Sequence, residues 1–105
     1  MAEVFYIKKG DSAPPVEATL RKADRSVIDL TDADSVHFQM GSLDNEAEIV
    51  DPPTSGQVRY EWGTGETDAA GIFNAEFKIM WAGGREQTVP NRGTIKVYIS
   101  EDAEE

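Results

Sequence analysis

The most constraining feature of this chain is a run of strict alternation. Phe73, Ala75, Phe77, Ile79 and Trp81 occupy every second position, with Asn74, Glu76 and Lys78 between them. Successive side chains of a strand point to opposite faces, so this period puts five apolar residues on one side of a sheet. A helix would scatter them around its circumference. The same period recurs in Val16, Ala18 and Leu20, in Val36, Phe38 and Met40, in Val58, Tyr60 and Trp62, and in Ile95, Val97 and Ile99. Gly, Pro, Asn and Asp punctuate these runs, as in an all-β domain built from short strands.

The runs predict about seven strands in two layers. The expected core is Leu20, Val36, Phe38, Met40, Val58, Tyr60, Trp62, Phe73, Phe77, Ile79, Ile95, Val97 and Ile99. Strand Phe73–Trp81 is expected at the centre of its sheet. The opening strand is expected at Val4–Lys8. Val27–Leu30 reads as a short extended piece, and Thr31–Ser35 as a helical turn or polar loop. Gly41–Glu46 is polar, Ala47–Val50 is weakly strand-like, and Asp51-Pro52-Pro53-Thr54-Ser55-Gly56 is a firm break.

The turn after Trp81 can be placed in register. A two-residue loop at Gly83-Gly84 would set Trp81 opposite Glu86 and Ile79 opposite Thr88. A three-residue loop over Ala82–Gly84 sets Phe77 opposite Val89 and Trp81 opposite Arg85. The second pairs apolar with apolar, lets a guanidinium lie near the indole, and places a glycine where left-handed backbone is needed. Pro90-Asn91-Arg92-Gly93 then interrupts the returning strand as a bulge.

With 105 residues the chain makes one domain: residues 1–100, followed by an acidic tail at 101–105. Its 20 Asp and Glu against 10 Lys and Arg give a net charge of −10. That surface repels phosphate backbones and anionic headgroups, so neither nucleic acid nor membrane is expected as a partner. Cysteine is absent, which excludes a thiolate nucleophile and disulfide staples alike. The N-terminal stretch does not read as a secretory signal, and no apolar run reaches the length of a membrane-spanning helix.

Chemistry is scarce. The single histidine, His37, alternates with core residues and is expected to face solvent or a polar neighbour. No serine sits in a nucleophile elbow, and Gly63-Thr64-Gly65 and Gly83-Gly84 read as turns. Asp29, Asp32 and Asp34 lie close together, and Asp44, Glu46 and Glu48 alternate, but neither run has the spacing of a calcium loop. The expectation is no catalysis, no cofactor and no metal.

Exposed apolar residues are the stronger lead, because such patches mark interfaces. Parity turns Ile72, Met80 and Tyr98 away from the core, together with one of the pairs Val4/Tyr6 and Phe5/Ile7. The expected interface residues are Tyr6, Met80 and Tyr98, on terminal strands Val4–Lys8 and Thr94–Ser100 taken as sheet edges. A carbohydrate-binding module contacting a host surface is the alternative, with Trp62 and Trp81 as its candidate aromatics.

Three stretches carry a family resemblance. The first is Ile7-Lys8-Lys9-Gly10-Asp11 with Pro14-Pro15 and Glu17-Ala18-Thr19-Leu20. The second is Val27-Ile28-Asp29-Leu30-Thr31 with Ser35-Val36-His37-Phe38-Gln39-Met40. The third is Tyr60-Glu61-Trp62, then Thr67-Asp68-Ala69-Ala70-Gly71-Ile72-Phe73-Asn74-Ala75-Glu76-Phe77, Val89-Pro90-Asn91 and Thr94-Ile95-Lys96-Val97. In order and spacing the chain resembles the immunoglobulin-like N-terminal domain of phage baseplate upper proteins and their short phage-encoded relatives. The resemblance implies a two-layer antiparallel immunoglobulin-like β-sandwich. It also implies a structural, non-catalytic role in a tailed-phage virion or prophage, in the tail, baseplate or head, assembled in the bacterial cytoplasm. The partners would be other virion proteins in symmetric, multicopy assembly, with the isolated protein monomeric or weakly associated. Baseplate upper proteins continue beyond this domain, so a small stand-alone protein is expected. The stretch Asp68–Phe73 is similar to the tyrosine corner of immunoglobulin domains, but Phe73 lacks the hydroxyl. Ala75 stands where antibody domains carry cysteine.

Overall fold

A computed structural model describes residues 4–90 and 94–101. The described chain is all-β: β1 (Val4–Lys8), β2 (Val16–Thr19), β3 (Ala33–Met40), β4 (Leu43–Ile49), β5 (Gln57–Tyr60), β6 (Gly71–Trp81), β7 (Glu86–Val89) and β8 (Ile95–Ser100), with one 3-10 turn at Pro53–Ser55. Hydrogen bonds link them in the order β1-β8-β6-β3-β4-β5-β2, and β7 pairs with β6 beside this path. The alternating strand is central as expected. Longer by two residues at its start, β6 pairs with β3 on one side and with β8 and then β7 on the other.

The β6–β7 hairpin adopts the three-residue register: Phe77 faces Val89, and the Trp81 N–H donates to the Arg85 carbonyl at 2.7 Å. Gly83 and Gly84 take φ of 87° and 88°, a region costly for any residue with a Cβ. The interruption after Val89 falls largely at residues 91–93, outside the described residues, as do residues 102–105 of the expected acidic tail.

Four expectations are corrected. The sheet is not wholly antiparallel, because β1 and β8 pair in parallel, Tyr6 beside Tyr98. Parallel neighbours need a long connection, and here nearly the whole chain provides it. It follows that β8 is not an edge: it lies between β1 and β6, leaving β1 and β2 as the ends of the path. Third, the polar stretch after Met40 is a strand. Gly41-Ser42 closes a tight hairpin, Met40 facing Leu43, and β4 pairs with β3 as far as Ala47 before Glu48 and Ile49 pair with β5. Likewise Thr31–Ser35 holds no helical turn, since β3 begins at Ala33, with a register shift between Ala33 and Ser35 against β6.

By passing from one partner to the other, β4 carries the path around the core. Side chains of strands that are not neighbours therefore meet. Phe38 on β3 stacks on Tyr60 of β5 at 4.6 Å between ring centroids and meets Trp62 edge-on at 5.6 Å. Phe5 of β1 lies 6.1 Å from Trp62. All the expected core residues are buried except Phe73, which is partly covered. Ile7, Val16, Ile28, Leu30, Ala47, Ala75 and Val89 join them. Each large side chain so buried contributes on the order of 1.5–3 kcal/mol before chain entropy is counted.

Candidate functional site

Where β1, β8 and β6 lie side by side, their outward residues fall into rows. Tyr6 is beside Tyr98, and Tyr98 is beside Ile72. The two phenol rings stack at 5.0 Å with planes 22° apart. Parity decides which face of β1 is wet: Ile7 is buried and Phe5 packs on the core, so Val4 and Tyr6 face out. Tyr6 is 70 % exposed, Ile72 63 % and Val4 47 %, the exposed large apolar residues of the described chain. Singly such residues are unremarkable, but here half-buried Tyr98 on β8 bridges Tyr6 of β1 to Ile72 of β6, so that the three form one row.

The next row is Val4, Lys96 and Asn74. Lys96 Nζ donates to Asn74 Oδ1 at 2.6 Å, and Thr94 Oγ1 donates to the same oxygen at 3.0 Å, so the amide fixes both neighbours. Beyond Glu76 the same outer face turns acidic. His37 Nδ1 lies 2.9 Å from Asp44 Oδ1, and Gln39 Nε2 donates to Asp44 Oδ2 at 3.2 Å. The bond from His37, then that from Gln39, holds the Asp44 carboxyl below its ordinary range. Lys78 pairs with Glu86 at 3.5 Å. The face is thus aromatic and apolar at one end, charged and solvated at the other.

The structure brings Tyr6 and Tyr98 together and leaves Met80 apart. Met80 is half-buried near the far end of β6, opposite Glu86 and Ser35. It lies eight positions along the strand from Ile72, on the order of 26 Å.

Two further clusters stand out, the first with no counterpart among the expected sites and the second around Trp81, a candidate aromatic of the carbohydrate-binding alternative. Glu66 gathers the turn after β5: Tyr60 Oη donates to its Oε1 at 2.6 Å, Gly63 N–H to the same oxygen at 2.7 Å, and Asn45 Nδ2 to Oε2 at 2.9 Å. Burial foremost, then the bond to the Glu66 carboxylate, pushes the Tyr60 hydroxyl up to about 12. The buried Thr67 extends this anchorage, its hydroxyl donating to the Asp11 carbonyl at 2.7 Å. The only sequence signal is a glutamate three residues after a turn glycine.

The second cluster is an open depression of about 310 Å³ at the β6–β7 hairpin, lined by Asp32, Trp81, Ala82, Arg85 and Gln87. Trp81 has the parity of the core yet is only partly covered, its indole N–H donating to Gln87 Oε1 at 3.1 Å. Trp62, by contrast, is 5 % exposed and has no surface to offer a ligand.

Among the described residues, no group of three or more His, Cys, Asp or Glu is placed to hold a metal ion. Asp29 instead accepts the Thr31 N–H at 2.9 Å and the Thr31 hydroxyl at 2.5 Å, forming a turn. No helix of the described chain is long and apolar enough to cross a membrane. Compared with protein-family models, curated proteins and solved structures, the chain matches none of them.

Proposed function

We propose that this chain is a non-catalytic structural protein of a tailed-phage virion or prophage, acting by binding other virion proteins. On this reading the eight strands form an immunoglobulin-like two-layer sandwich, β4 crossing between the layers. The observation that carries the proposal is the Tyr6–Tyr98 stack with Ile72 beside it, on the outer face of a sheet that ends at β1. Stacked tyrosines offer rigid apolar area with a polar tip, the residue character enriched at interface centres. Edge strand β1 adds unpaired backbone groups within reach of a partner strand.

A domain of this size has little area to spare, so one contact is expected near or below about 1,600 Å². Firm attachment then comes from several copies engaging a symmetric partner together. The test is mass spectrometry of purified particles from a host carrying this gene, with wild type and a Tyr6→Ala/Tyr98→Ala double variant. Wild type is expected in the particle and the variant depleted from it, though equally stable in solution. Absence of the wild-type chain from every particle preparation refutes the role. Incorporation of the variant at the wild-type level refutes the tyrosine face.

A further inference from the structure

We infer that the depression at the β6–β7 hairpin is a binding site for a neutral saccharide, with Trp81 as its platform. This stands apart from the tyrosine face and does not depend on it. A pyranose ring is amphipathic in a particular way. Its C–H faces are apolar and flat, and its rim carries hydroxyls that both donate and accept. A site for it needs an indole held still and polar groups of both kinds around the ring.

The hairpin supplies these parts. Trp81 is the last residue of β6, carried past the covered part of the core, so its indole is only partly buried. The bond from its Nε1–H to Gln87 Oε1 fixes the ring. Its backbone is pinned from two sides, Trp81 N–H to the Arg85 carbonyl at 2.7 Å and Ala82 N–H to the Asp32 carbonyl at 3.1 Å. Asp32 brings a carboxylate acceptor, Arg85 a guanidinium fork, and Gln87 an amide whose NH₂ is a donor. Gly83 and Gly84, next to these residues, would meet nothing within 4 Å if given a Cβ, so the approach is open. The volume of about 310 Å³ lies at the small end of ligand sites, the size of one or two sugar rings.

The charges select among ligands. An anion would gain Arg85 but meet Asp32 in a molecule of net charge −10, and a cation would meet the converse. Hydroxyls can use both at once. The platform is small, so a single ring is expected to bind weakly, with Kd on the order of millimolar.

Nuclear magnetic resonance of the intact chain separates the possibilities, because its two indole N–H signals report on different places. Glucose, galactose, N-acetylglucosamine and rhamnose are titrated to tens of millimolar, with inorganic phosphate as an anionic probe. At least one sugar is expected to move the Trp81 signal saturably while the buried Trp62 signal stays fixed. Arg85→Ala, an exposed position, should keep the fold and weaken that binding about tenfold or more. Trp81→Ala removes that reporter, so its binding is read from the backbone amide signals of Arg85 and Gln87, which move with the sugar in the wild type and should no longer do so, while the Trp62 signal confirms that the variant is folded. The inference is overturned if none of the four sugars moves the Trp81 signal. It is equally overturned if phosphate saturates the same signal and the sugars do not, or if Arg85→Ala binds as wild type does.

Discussion

Replacing Tyr60 with phenylalanine removes one oxygen from the Glu66 cluster and keeps the ring. The ring remains free to stack on Phe38 at 4.6 Å and to meet Trp62 edge-on at 5.6 Å, so no cavity opens. What goes is a hydrogen bond of 2.6 Å to a carboxylate from a residue 3 % exposed, and the weaker bond accepted from Asn45 at 3.1 Å. A bond to a charged group contributes about 1.5–3 kcal/mol. Glu66 keeps the donors of Gly63 and Asn45, so the carboxylate is not stranded, and the loss belongs at the lower end, about 1.5–2 kcal/mol at neutral pH. The dependence on pH gives a second reading of the same atom. The hydroxyl titrates near 10 in an unfolded chain and at about 12 in the folded one. Its contribution is therefore complete below about pH 10 and lost as the pH climbs toward 12, where the unfolded chain gives up the proton first. Urea unfolding of both proteins should show the gap narrowing by about 1 kcal/mol between pH 7 and about pH 11. Tyr6 and Tyr98 are present in both proteins and cancel in the difference. A gap below about 0.5 kcal/mol at neutral pH, or one that does not shrink in alkali, refutes this account of the cluster.

Phe77 is fully buried and 5.3 Å from the Phe38 ring, so Phe77→Ala should cost about 3–5 kcal/mol by urea or thermal unfolding; a loss under about 1 kcal/mol would remove β6 from the centre of the core. Gly56 has φ 69°, and a Cβ there would stand 2.5 Å from Val27 Cγ1 and 2.8 Å from the Ile28 carbonyl. Gly10, at φ 85°, has open space around it. Gly56→Ala should therefore lower the melting temperature well beyond Gly10→Ala, which bears only the backbone term of about 1–2 kcal/mol; equal losses would show that the close approach is not felt.

What was legible follows from where the information lies. The β6–β7 register could be read because Phe77, Ile79 and Val89 need apolar company and Gly83-Gly84 permits only a few turns, all within one hairpin. β4 could not. Asp44, Asn45, Glu46 and Glu48 are poor strand formers, and the segment is extended because β3 and β5 offer it hydrogen bonds, a tertiary cause with no local trace. The parallel β1–β8 pair is more remote still, since it joins the two ends of the chain. Parity found the outward residues, but only the strand order tells which of them adjoin. Met80 and Ile72 point the same way from one strand, and of the two only Ile72 has a tyrosine, Tyr98, beside it. Trp81 shows the converse: inward parity guarantees burial only where an opposite layer extends far enough to cover the residue.

The division of charge bears directly on how the proposed assembly would work. A protein of net charge −10 resists contact with its own copies, and the carboxylates Asp44, Glu46 and Glu86 sit on the outer face away from the tyrosine row. The eight outward residues Val4, Tyr6, Lys8, Ile72, Asn74, Lys96, Tyr98 and Ser100 include two lysines and no carboxylate. A partner can therefore cover the aromatic end without burying an unpaired negative charge, the costliest thing to desolvate at an interface. Pressing the acidic end of one copy against that of another would juxtapose like charges. On the proposed function, the tyrosine end would dock onto a different protein while the acidic ends keep copies apart, and a ring of equivalent partner sites would satisfy both conditions at once.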